Sequence, residues 1–191
     1  MTLFKVLVPV LIFCSMESFS QDSYYNIPKA PETYSAQNMV VRMIDGLGFR
    51  YYWATSGLKE TDLAYHPNND ARTSRETLEH IDGLVSVILN TVSGKDVAIK
   101  QNYKELSFEG LRANTLKNIA SAALILKESK EDLKDLNLVL GGKKSSYDFW
   151  YLINGPLEDA VWHVGQLVSF RRSSGNPLPE GVNVLSGQKK D

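Results

Sequence analysis

The chain has 191 residues, 43% of them hydrophobic and 23% charged, with a formal net charge of −1. That balance suits one globular domain with a full-sized core. It offers no electrostatic argument for nucleic acid, because no long basic run breaks the even spread of lysines and arginines.

Residues 1–20 differ from the rest. M-T-L-F-K supplies a positive charge, V-L-V-P-V-L-I-F-C-S-M an apolar run, and S-F-S small residues before Gln21. This three-part pattern predicts a secretory signal peptide cleaved near Ser20–Gln21, and hence an exported protein, periplasmic or secreted. The apolar run, broken by Pro9, is shorter than the roughly 18 residues a stable membrane anchor needs. Cys14, the only cysteine, falls inside this segment. Without it the chain has no thiol for a disulfide, a nucleophile or a metal ligand. Acylation of Cys14 is disfavoured, since bulky Phe13 stands where a lipoprotein signal has a small residue.

Residues 21–34 carry two prolines and no helical period, which predicts an extended arm. Four long helices follow. The first runs from Ser35, a plausible N-cap, to Gly57, with Val40, Met43, Ile44, Leu47 and Tyr51 in one stripe. Phe49, Tyr52 and Trp53 fall outside that stripe, so this helix should touch more than one neighbour. His66-Pro67-Asn68-Asn69-Asp70 reads as a turn, with His66 a turn residue. The second helix opens on the capping-box spacing of Thr73 and Glu76 and ends near Ser93-Gly94; Leu78, Ile81, Leu84, Val85, Ile88, Leu89 and Val92 form its buried face. Ser107 caps an alanine-rich third helix. From about residue 130 the pattern is partly alternating and predicts a short helix or an irregular connection. Gly155-Pro156 starts the fourth helix and Ser174-Gly175-Asn176-Pro177 ends it. The polar tail, 178–191, is expected to lie over the surface. Four helical patterns without a convincing set of strands predict an all-α bundle over residues 35–177.

On the fourth helix Leu157, Ala160, Val161, Val164, Leu167 and Val168 form the expected core stripe. Asp159, His163, Gln166 and Phe170 share another side, too mixed for a solvent face and suited to a pocket wall. Positions i and i+4 set the Asp159 carboxylate beside the His163 imidazole, as one helix can offer two ligands to one metal. A third ligand must come from elsewhere, and His80, on the flank of the second helix, is the candidate. Together they make a two-histidine, one-carboxylate set that suits a divalent metal such as zinc, nickel or iron. A hydrogen-bonded boundary histidine and a local Asp–His contact explain the same residues without a metal.

E-T-L-E-H-I-D-G-L on the second helix and L-E-D-A-V-W-H-V-G-Q-L-V-S-F-R-R-S-S-G-N-P on the fourth resemble the DinB/YfiT-like superfamily, most specifically in the H-x-G-Q run. The resemblance spans residues 35–177. It implies a DinB-like four-helix bundle that binds a divalent metal through three histidines, one on the second helix and two at i, i+4 on the last. His80 matches the first of these and His163 the last, while Asp159 stands where the other histidine is usual. The superfamily includes thiol-dependent transferases and metal-dependent hydrolases. Export away from cytoplasmic thiols favours a hydrolase acting on a small molecule. In that reading Glu76 orients a water, while Gln166 and Phe170 contact substrate; the resemblance and the aromatic excess of the first helix fit a homodimer, and a monomer with those rings in its core fits equally. The alternative is a non-catalytic bundle that binds a small molecule or protein partner through the Asp159, His163 and Phe170 wall.

Overall fold

A computed structural model describes residues 23–97, 102–141 and 145–190. The expected signal segment, its cleavage point and Cys14 lie outside the described residues. The described chain is mainly helical: α1 Ala36–Thr55, α2 Glu60–Leu63, α3 Ser74–Val92, α4 Phe108–Glu128, α5 Trp150–Leu152 and α6 Glu158–Ser173. Helix α1 packs against α4 and α6, and α3 packs against the same two. The long helices thus form a closed ring of neighbours around one apolar core. No helix among the described residues is long and apolar enough to cross a membrane.

The starts of three helices follow from their caps. Ser35 Oγ accepts from Asn38 N at 3.1 Å and Ser107 Oγ from Gly110 N at 3.1 Å. Thr73 and Glu76 close a reciprocal capping box, Glu76 Oε2 accepting from Thr73 N at 2.8 Å. Each satisfies amides that a helix start leaves without partners.

Helix α1 is not one-sided. Met43, expected in the core stripe, is 39% exposed, whereas Phe49, Tyr52 and Trp53 are buried. The reason is the arm. Tyr25 stacks edge-on against Trp53, ring centroids 5.0 Å apart, and its carbonyl accepts from Trp53 Nε1 at 3.0 Å. Tyr24 is buried over Gly48, where an added Cβ would stand 2.5 Å from the ring. Its hydroxyl donates to the buried carboxylate of Asp45 at 3.1 Å.

One connection corrects the sequence reading and the tail adds to it. The alternating segment after α4 is a hairpin, β1 Leu138–Leu140 paired antiparallel with β2 Ser145–Tyr147, because alternation is a strand period. The C-terminal tail is also folded: β3 Val182–Asn183 pairs with β4 Gln188–Lys189, and the turn between them accepts from Ile27 N at Gly187 O, 2.8 Å away. Gly187 has φ +66° and lies against the Ile27 side chain, so no Cβ fits there. Arm and tail therefore hold each other.

Helix α6 begins later than the Gly-Pro signal suggested. Residues Ile153–Leu157 form a π turn in which Gly155 takes non-helical angles, φ −95° and ψ −105°. Within α6, Ala160, Val164, Leu167 and Arg171 are buried, but Val161 is 37% exposed. Gly165 lies mid-helix, costing about 1 kcal/mol relative to alanine, and nothing occupies the space its Cβ would take.

Arg171 ends the buried stripe. Its guanidinium donates to Trp53 O at 2.8 Å, Ala54 O at 3.1 Å and Ser56 O at 3.1 Å, the carbonyls that the end of α1 leaves without helical partners. Its Nε donates to Asn176 O at 2.7 Å. Asp62 joins the same corner, accepting from Ser174 Oγ, from Asn176 Nδ2 at 2.7 Å and from Lys59 N at 2.8 Å.

Arg171→Met keeps the stem and strands these carbonyls, so urea unfolding should show a loss of about 3 kcal/mol; an unchanged midpoint would remove the clamp from the account. Burial pushes the Asp45 carboxyl above its ordinary value, against the pull of Tyr24, Arg42 and Lys127. The native state then holds a proton that the unfolded chain releases, so this group's contribution is full at low pH and is lost as pH rises through its raised pKa. Asp45→Asn should flatten that pH dependence and melt higher than the parent at pH 7, read by thermal unfolding across pH 4–7.

Candidate metal centre

His80 and Asp82 lie two residues apart on α3, about 200° around the helix, and face different neighbours. Asp82 is fully buried and accepts from Thr115 Oγ1 at 2.8 Å, Asn114 Nδ2 at 3.0 Å and Tyr103 OH at 3.1 Å. Those three donors tie α3 to α4 and the segment before it. With that side fixed, His80 is turned toward α6. On α6, Arg171, Leu167, Val164 and Ala160 point inward, which sets Asp159 and His163 along the flank facing α3.

The structure brings the three residues together. Asp159 Oδ2 lies 3.3 Å from His80 Nε2, and Asp159 Oδ1 lies 3.3 Å from His163 Nε2. The two imidazoles stand perpendicular, ring centroids 4.6 Å apart. One ligand atom from each residue can be chosen so that all lie within 4.8 Å of one another, a group that could hold a metal ion. All three are partly buried, His163 most deeply. Asp159 sits in the first turn of α6, where the helix dipole favours a negative charge.

Gln166 completes the arrangement: its Oε1 lies 2.7 Å from His163 Nδ1. An amide oxygen only accepts, so Nδ1 carries a hydrogen in this arrangement. Nε2, the other ring nitrogen, faces the Asp159 carboxylate. In the neutral Nδ1–H tautomer Nε2 has a lone pair, and a cation between it and the carboxylate, a proton or a metal ion, joins the two. Two ligands about 2.0–2.1 Å from a tetrahedral ion are themselves about 3.3–3.4 Å apart; each imidazole nitrogen lies 3.3 Å from a different Asp159 oxygen, so a single ion would draw the three side chains closer than their present spread of up to 4.8 Å. Burial, the Arg72 guanidinium and His163 hold the His80 imidazole below its ordinary value, and Asp159 pulls the other way.

The remaining expected residues divide. Gln166 is engaged with His163. Phe170, further along the same flank, packs against Tyr65 at 5.7 Å between ring centroids. Glu76 is exposed, its carboxylate occupied by Thr73 N and Oγ1 in the capping box, which also holds it below the ordinary carboxylate range. His66 is a turn residue, its Nδ1 2.6 Å from Asn68 O. Sequence reasoning missed Tyr65, which no pattern marks, and Arg171, which the i+4 continuation of the core stripe from Leu167 does mark.

No family model matches the chain, and searches of curated proteins and of solved structures find no match.

The tautomer is directly observable. Nitrogen-15 spectra of metal-free protein at pH 8 should show His163 protonated on Nδ1, and Gln166→Leu should return it toward the Nε2–H form of free histidine; a neutral Nε2–H tautomer in the parent would contradict the part given to Gln166.

Proposed function

We propose that this chain is an exported, DinB-like helical-bundle protein in which His80, Asp159 and His163 hold a divalent cation, and that it is a metal-dependent hydrolase of a small molecule. The observation that carries this reading is the meeting of His80, Asp159 and His163, whose ligand atoms lie within 4.8 Å of one another. The donor set supports it. Two neutral imidazoles and a carboxylate suit zinc, nickel or iron(II), and three protein ligands are the usual complement of a site that keeps a position open.

The chain's own residues have distinct parts in this reading. Asp159 supplies the charge that offsets the cation's and links the two helices. Gln166 fixes the His163 ring and keeps Nε2 free, the outer-shell role that a ligating histidine needs. Tyr65 and Phe170 pack on each other further along the same flank of α6. Bound there, a divalent cation supplies Lewis acidity toward a substrate group and toward water. Glu76, held by Thr73, has no part in it. Asp159 in place of the family's usual histidine lowers the net charge of the centre by one and shifts its preference toward harder cations. Export rests on the composition of residues 1–20.

Protein purified without a His-tag and reconstituted with zinc should retain about one equivalent. His80→Ala and His163→Ala should each lose it, Asp159→His should keep it, and Gln166→Leu should weaken it about 10- to 100-fold. Stoichiometric zinc retained in both alanine variants would overturn the site. Hydrolysis of an ester or amide panel should vanish with chelator and return with zinc or nickel; an activity indifferent to chelator would overturn the metal-dependent mechanism.

A further inference from the structure

Helix α6 has a second flank, and it faces α1 and the C-terminal hairpin. Two cavities of about 390 Å³ each adjoin there, sharing Arg50, Val161 and Val184. Their size is that of small-molecule sites, which are mostly apolar with a few convergent polar groups. Three arginines line them: Arg42 in one, Arg172 in the other and Arg50 in both. Arg42 donates to Pro28 O and Arg50 to Gly46 O, and among the described residues no carboxylate lies within ion-pair distance of any of the three. One acid, Glu158, shares the lining.

Gly165, the glycine of the H-x-G-Q run that the metal centre leaves unused, lies on this wall. Its Cβ position is open space, so its lack of a side chain relieves no packing clash. What it does is leave the groove unfilled. Three guanidiniums, one of them also drawn toward Asp45, set against a single lining carboxylate along an apolar channel complement a ligand with one anionic head and an apolar body, since arginine recognises carboxylates in a two-pronged fashion.

We propose that this groove binds a fatty-acid carboxylate, with its head on Arg50, where the two cavities meet, and its chain over Gly165. The site is independent of the metal centre on the opposite flank of α6.

Calorimetric titration of the full chain with dodecanoate, below its micelle concentration, tests this against dodecanol, which has the same chain without the charge. Dodecanoate should bind one to one, with dodecanol and the Arg50→Gln variant each weaker by about tenfold or more. Gly165→Leu should abolish binding and Gly165→Ala should retain it, both keeping the parent's helix content, with the alanine variant melting a few degrees higher because the mid-helix glycine is gone. Equal binding of acid and alcohol, or undiminished binding in Arg50→Gln, would overturn the proposal even if the leucine variant fails to fold. So would the absence of dodecanoate binding, or a concentration-dependent dimer of the parent that Gly165→Leu dissociates, since a second copy would then occupy the groove.

Discussion

The orientation of α6 depends on one buried cation. The carbonyls at the end of α1 lie inside the protein and have no helical amides to accept from; Arg171 reaches across from α6 and satisfies three of them. Removing that many buried acceptors from water without partners would be prohibitive. The guanidinium therefore fixes how far α6 is rotated about its axis. Everything chemical follows from that rotation, because the helix then turns Asp159, His163, Gln166 and Phe170 toward α3, and Val161, Gly165, Val168 and Arg172 toward α1.

On the α3 side, the buried Asp82 network does for His80 what Arg171 does for His163. A helix held at a fixed rotation by a satisfied buried polar group can present a partly exposed imidazole with little freedom. Two such helices meeting at Asp159 bring two imidazoles and one carboxylate together, each imidazole 3.3 Å from a different carboxylate oxygen. Gln166 Oε1 engages His163 Nδ1, so Nε2 is left facing Asp159. The three side chains form a group that could hold a metal ion.

Much of this was legible in the residues. Caps at Ser35, Thr73 and Ser107 mark three helix starts because capping is local chemistry, and the i, i+4 pairing of Asp159 with His163 follows from helical pitch alone. The juxtaposition of His80 with that pair also followed, once α3 and α6 were taken as neighbours. The failures have a common cause. The extended arm and the surface tail were expected, but not the order they gain from each other and from α1, through Tyr24 over Gly48 and Ile27 against Gly187, contacts far apart in sequence. Met43 and Val161 fit the apolar period yet remain exposed, since periodicity marks a face without saying whether a neighbour covers it. Glu76 lay within one turn of His80, but its capping-box partner has first claim on its carboxylate.

The most direct test of the metal centre is anomalous diffraction at the zinc edge from crystals of the protein grown with zinc. A single strong peak about 2.0–2.2 Å from His80 Nε2, His163 Nε2 and an Asp159 oxygen is the predicted result. A map with no peak among these three side chains, or with the histidines paired to Asp159 by hydrogen bonds alone while zinc sits elsewhere, would contradict it.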